Sequence, residues 1–198
     1  MTESPIIVAI TGASGAPYAV RLLEQLVRAR RAVSLIVSSH GVRLLQTETP
    51  FQSIDALRVH VGTNAWDAVV RVYDDSDRGG SPASGSSLSA GMVICPCSMG
   101  TVSAIAHGAS RSLIERAADV VLKERRPLII VPRETPLSSI HLENLLTLSR
   151  AGAIVLPAMP GFYHQPTTVD ALVDFVVARV LDHLQVPHTL SQRWSSDS

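Results

Sequence analysis

Glycine, hydroxyl and charged side chains gather at five points of this sequence, each directly after an apolar run. The first is Thr11-Gly12-Ala13-Ser14-Gly15-Ala16. Gly12 and Gly15 allow tight turns, and free N–H groups at a helix start favour an anion. The spacing is not GxGxxG, so the dinucleotide fingerprint is missing, and a plain strand-to-helix turn is the alternative. The second point is Ser38-Ser39-His40. The third is Pro96-Cys97-Ser98-Met99-Gly100-Thr101, where Ser98 and Thr101 can donate to a phosphate or cap the following helix. At the fourth, Arg133 suits a phosphate or a ring carbonyl. Its neighbour Glu134 can move a proton if partial burial raises its pKa; a structural ion pair between them is the alternative. At the fifth, Tyr163 can hydrogen-bond a phosphate, with Arg179 on the last helix as a companion.

One segment carries net charge. Between Arg111 and Arg133 stand six basic and three acidic side chains, a local excess of three. Arg116 and Lys123 lie seven apart, nearly two helical turns, so they share a helix face that could meet a phosphate. A solvated helix end is the plainer explanation. Lys123 is the single lysine beside 16 arginines. Cys95 and Cys97 are too close for an ordinary disulfide and too few for a structural zinc site. They read as buried thiols of a reducing compartment, the cytoplasm. The histidines show no ligand spacing, so no metal is expected.

These points need strands to end on and helices to begin. Continuous apolar runs predict buried parallel strands over 6–10, 32–37, 91–95, 128–131 and 153–156. Helical spacing appears over 18–27, 41–48, 101–107, 112–123, 140–150 and 168–184. Residues 50–71 are less regular and suggest short strands near 57–61 and 69–72. Residues 74–89, rich in Ser, Gly and Asp, read as a long surface loop. Alternating strands and helices predict a three-layer α/β/α sandwich, a mostly parallel sheet with helices on both faces, and ligands then bind beyond the carboxyl ends of the strands. No repeat and no second domain is visible; residues 1–198 read as one domain with a tail over 187–198.

Composition sets the outer limits. The chain has 198 residues, 46% hydrophobic, 17% charged, with 17 basic against 17 acidic side chains. Mean hydropathy is +0.24. This excludes a disordered chain and argues against nucleic acid or an anionic membrane as partner. No apolar run is long enough to span a bilayer, and the N-terminus lacks a signal-peptide pattern. An apolar chain with so little charge is expected to bury surface between subunits.

Taken in order, the motifs resemble the UbiX-type flavin prenyltransferase family nearly end to end, from Ile6 to about Trp194. They are Thr11-Gly12-Ala13-Ser14-Gly15-Ala16, Glu48-Thr49, Pro82-Ala83-Ser84-Gly85-Ser86 and Cys95-Pro96-Cys97-Ser98. Further along stand Glu115-Arg116-Ala117-Ala118-Asp119, Lys123-Glu124-Arg125-Arg126-Pro127-Leu128, Val131-Pro132-Arg133-Glu134 and Gly161-Phe162-Tyr163-His164. The resemblance implies a Rossmann-like fold, a homododecamer built from trimers, and FMN bound where subunits meet. It assigns Gly12, Ala13, Ser14, Ser38, Ser98, Met99, Gly100, Thr101 and Arg133 to flavin contacts. Arg116, Lys123, Tyr163 and Arg179 match the groups that hold the prenyl donor's phosphate, some reaching across from a neighbouring subunit. Ser14, Glu48 and Glu134 match the polar groups around the reacting flavin edge.

The implied reaction joins a dimethylallyl group from dimethylallyl phosphate, mono or di, to N5 and C6 of reduced FMN, without a metal. Its product serves a separate UbiD-type decarboxylase. One departure stands out: where the family often has Trp after Asp, Asp77 is followed by Arg78. Two rival readings are a cysteine decarboxylase of the phosphopantothenoylcysteine type and a non-catalytic FMN-binding accessory subunit. The first is disfavoured because Pro157-Ala158-Met159 is followed by Pro160, not Asn.

Overall fold

The computed structural model describes residues 4–190. Among them, strands β1 (Ile6–Ile10), β2 (Val33–Val37), β3 (Val70–Asp74), β4 (Gly91–Cys97), β5 (Leu128–Pro132) and β6 (Ile154–Val155) form one sheet. Their spatial order is β3-β2-β1-β4-β5-β6, and every neighbouring pair is parallel. The chain steps outward from β1 to β3 on one side, then returns to lay β4 against the other side of β1. That reversal opens a crevice at the carboxyl ends of β1 and β4, because the helices leaving them diverge to opposite faces.

Two apolar layers hold the helices to the sheet. Side chains alternate along a strand, and β1 shows it directly. Ile6, Val8 and Ile10 face one cluster, Ile7 and Ala9 the other, all essentially buried. The first cluster takes up α1 (Ala16–Arg28), α2 (Ser39–Glu48), α3 (Ile54–Val61), α4 (Thr63–Val69) and α8 (Val169–His183). The second takes up α5 (Met99–Ala106), α6 (Leu113–Lys123) and α7 (Ser139–Arg150).

One expectation is corrected here. Residues 57–61 form helix, not strand. Leu57-Arg58-Val59-His60-Val61 alternates like a strand, but Ser53 caps a helix start by accepting from the Ala56 N–H, and Asp55 complements the first turn. Helix α4 then carries Trp66 into the core at 2% exposure.

The 74–89 loop is tied down. Arg126 donates to the carbonyls of Gly85 and Ser87, and a short 3-10 turn spans Ser81–Ala83. The expected tail begins after α8, where His188 meets Asp182 at 3.1 Å; residues 191–198 lie outside the described residues. Among the described residues no helix is long and apolar enough to cross a membrane.

Candidate active site

At the carboxyl ends of β1, β2 and β4 lies a crevice of about 360 Å³. Gly12, Ser38, Ser98 and Thr101 line it, as the sequence predicts. Three of its walls are helix starts. Ser38 caps α2 by accepting from the Gly41 N–H at 3.1 Å. Ser98 caps α5 by accepting from the Thr101 N–H at 3.3 Å, and its hydroxyl lies 3.0 Å from that of Thr101. Ser112 caps α6 through the Glu115 N–H. The starts of α2 and α5 present unpaired N–H groups and positive potential, so that side of the crevice suits an anionic, polar ligand. Gly12 forms part of the wall, and a Cβ there would fall 2.6 Å from the Cβ of His40.

The start of α1 is different, because a carboxylate already occupies it. One oxygen of Glu48 accepts from the Gly15 N–H at 2.7 Å and from the Ala16 N–H at 2.8 Å. Gly15 presents that N–H from a backbone at φ 124°, a conformation that favours glycine. Burial pushes the Glu48 carboxyl up. Hydrogen bonds from Ser14, Gly15 and Ala16 and the Arg133 charge outweigh it, holding the group below its ordinary value. Arg133 Nε in turn donates to the Ser14 carbonyl at 3.3 Å. Ser14, Glu48 and Arg133 thus form one connected group beside the crevice, although they are far apart in sequence.

Glu134 does not pair with Arg133 in this way. Its carboxylate accepts from the Thr135 N–H at 3.1 Å, closing a local turn. Ala13 and Met99 are buried behind the two turns, and Gly100 is exposed at the start of α5. Cys95 and Cys97 are buried free thiols at the end of β4; burial pushes Cys95 up to about 12, and Cys97 rises likewise.

The four groups matched to the donor phosphate are not gathered by this chain. Arg116 pairs with Asp119 at 2.9 Å, Arg179 with Asp182 at 3.2 Å, and Lys123 with Glu124, each within its own neighbourhood. Helix α6 begins at the crevice with Ser112 and ends at Lys123, about 16 Å away for 11 residues. Lys123 therefore lies at the amino end of the sheet, beside Gly85 and just before β5. Tyr163 is exposed at 67%, with its ring edge-on to Phe175 at 5.6 Å.

Sequence reading missed part of the crevice wall. Asp75, Ser112, Ile114 and Glu115 also line it. Asp75 holds the start of α6, accepting the Leu113 N–H on its carbonyl and the Ile114 N–H on its carboxylate. Glu115 is 8% exposed; burial pushes its carboxyl up, but Arg111 donates three hydrogen bonds and holds it below the ordinary value. The signal for Ser112 and Glu115 was available, since Ser-x-x-Glu marks a helix start. Asp75 sits in a patternless loop and gave none. Among the described residues no cluster of His, Cys, Asp and Glu could hold a metal ion.

Comparison with known proteins agrees with this geometry. Residues 1–181 match the Flavoprotein family. Flavin prenyltransferase UbiX of Pseudomonas aeruginosa is 53% identical over 196 residues, covering 96% of this chain and 93% of that protein. The UbiX of Methanocaldococcus jannaschii is 46% identical, covering 96% and 98%. Among solved structures, AnUbiX in complex with FMN and dimethylallyl pyrophosphate superposes with a TM-score of 0.88 at 36% identity, covering 99% of this chain and 100% of that one. A dodecameric FMN-dependent UbiX-like decarboxylase from Escherichia coli O157:H7 gives 0.87 at 41% identity, covering 97% and 100%. The chain belongs to the flavoprotein family and, within it, to the UbiX flavin prenyltransferases.

Proposed function

We propose that this protein transfers a dimethylallyl group from dimethylallyl phosphate or diphosphate to N5 and C6 of reduced FMN. The observation that carries the reading is the crevice where the strand order reverses, with the Ser14–Glu48–Arg133 group at its side. The residues present fit a flavin mononucleotide. Hydroxyls of Ser38, Ser98 and Thr101 and the N–H groups at the starts of α2 and α5 suit its phosphate, and Asp75 and Glu115 can accept from sugar hydroxyls. Reduced FMN supplies the nucleophilic nitrogen and ring carbon.

The chain's own groups then have separate tasks. When the allylic C–O bond breaks, its electron pair leaves with the phosphate. Lys123, Arg116, Arg179 and Tyr163 stabilise that charge as fixed donors. Because Lys123 stands at the far end of α6, a neighbouring copy delivers it, in an assembly we take to be a dodecamer of trimers. Forming the first bond would release the proton of the ring nitrogen; closing the second would require one proton to reach the prenyl unit and one to leave the ring carbon. Ser14, Glu48 and Glu134 are the groups placed to move them, and the released phosphate is a further base. The chain acts as one flavin-binding domain in the cytoplasm, and its product passes to a separate UbiD-type decarboxylase.

The test is direct. Reduced FMN, dimethylallyl phosphate and the protein are incubated anaerobically, and the flavin is analysed by mass. A prenylated flavin supports the reading. FMN bound without an adduct would make the protein a carrier, and CO2 released from a cysteinyl substrate would make it a decarboxylase.

A further inference from the structure

We infer that Thr11 is a positioning residue of the flavin site, whose hydroxyl clasps the β4–α5 turn onto the end of β1. The inference rests on the flavin reading above and assigns a role to a buried side chain at the edge of the crevice, acting through the turn it holds.

Thr11 is the first residue beyond β1 and is 2% exposed. Its hydroxyl donates to the Pro96 carbonyl at 3.0 Å and accepts from the Ser98 N–H at 2.8 Å. Its own N–H also donates to the Pro96 carbonyl, at 3.2 Å. One side chain therefore satisfies both directions of hydrogen bonding across a gap of more than 80 residues.

The location gives these bonds their consequence. The β1–β4 ladder ends at the Ala9–Ile94 pair. Between Ile94 and Cys97 the pairing of β4 with β5 also shifts register. The end of β4 thus loses the β1 ladder and keeps β5 only through a shifted pair, Cys97–Pro132, just before the turn reaches the crevice, and the Thr11 hydroxyl takes over where the β1–β4 ladder stops. By fixing the Ser98 N–H, it fixes the backbone from which Ser98 caps α5 and faces Thr101. The spacing of the Gly12 wall and the Ser98 wall is therefore set through Thr11. The side chain needed there has both a donor and an acceptor. Valine keeps the shape and loses both, serine keeps both and loses a methyl group.

Three variants are compared with the wild type as full-chain oligomers: Thr11→Val, Thr11→Cys and Thr11→Ser. FMN affinity is read by flavin fluorescence, the environment of the ring by the visible circular dichroism of bound FMN, and assembly by gel filtration. Thr11→Val is expected to weaken FMN binding roughly tenfold or more, with an altered visible spectrum and unchanged assembly, because the part-buried Ser98 N–H loses its partner. Thr11→Ser is expected to restore affinity and spectrum. Thr11→Cys, with a weak donor and acceptor, should fall between them, and it carries the test if Thr11→Val does not fold. Folded Val or Cys variants with wild-type affinity and spectrum would overturn the inference. So would a Ser variant as impaired as Val, since packing and not the hydroxyl would then be responsible. Failure of the wild type itself to bind FMN would instead remove the flavin reading.

Discussion

The crevice and the scattered cations are held by different kinds of contact. In the crevice, partners come from distant parts of the chain. Glu48 reaches Gly15 and Ala16, Arg133 reaches Ser14, and Thr11 reaches Pro96 and Ser98. Among the described residues, the cations Arg116, Lys123 and Arg179 pair with acids one to three residues away. Long-range bonds at partly buried groups define one geometry, whereas exposed local pairs are weak and exchange readily for a stronger anion. The first region is joined up within one chain; the second is not, and on the function proposed above its charges meet the donor phosphate from a neighbouring copy.

That contrast can be broken most severely at Lys123. Lys123→Ala should lower turnover by roughly 10²–10³ while leaving FMN affinity unchanged, as removal of a fixed charge-stabilising group does. Equal losses in both would place Lys123 in the flavin crevice. Mixed oligomers sharpen the point: Lys123→Ala subunits reassembled with Glu48→Gln subunits should regain activity, because some sites then receive both intact groups. No recovery would mean that each site is built from one chain.

The next effect is expected at Arg133. Arg133→Met should weaken FMN binding by roughly tenfold, the scale of one charge-assisted hydrogen bond. An unchanged dissociation constant, measured by fluorescence titration, would make Arg133 only a brace for Ser14.

Glu48 gives a pH signature. Its folded-state pKa lies below the ordinary value, so its stabilising contribution is full above the unfolded-state pKa of about 4.3 and is lost as pH falls through the folded value. Melting temperature followed from pH 7 downward should therefore decline less steeply in Glu48→Gln than in the wild type. Parallel curves would contradict the assignment.

Smaller effects separate the two regions further. Ser98→Ala removes the cap of α5 and should cost about 1 kcal/mol, or roughly 2–4 °C in melting temperature. Asp119→Asn breaks the exposed pair with Arg116 and should cost less than about 1 kcal/mol. A larger loss at Asp119 than at Ser98 would reverse the comparison.

Much of this organisation was legible in the sequence, for identifiable reasons. Buried parallel strands are apolar on both faces, so β1, β4 and β5 stand out as unbroken runs. Residues that follow such strands fall at the crevice by topology, which is why Gly12, Ser38, Ser98 and Thr101 were found. The α3 segment was misread because five alternating residues carry a strand's period and only Ser53 and Asp55 outside them signal a helix. Asp75 was missed because its role depends on packing against the start of α6, 39 residues away. The attachment of Glu48 to the start of α1 was equally hidden, since nothing local in residues 44–52 announces it.

The carboxylate at the start of α1 bears on which nucleotides this fold can accept. In dinucleotide-binding relatives of the architecture, the first helix start receives a pyrophosphate. Here Glu48 already fills that place, and a second anion would meet it at contact distance. The fold has thus closed its best-known anion port from within, holds the α6 start with Asp75 in the same way, and leaves the starts of α2 and α5 facing the crevice. A mononucleotide with one terminal phosphate can be seated; a dinucleotide whose pyrophosphate must lie across the first turn is refused. Glu48 would thus act as an internal acid against any nucleotide that needs this first turn for a pyrophosphate.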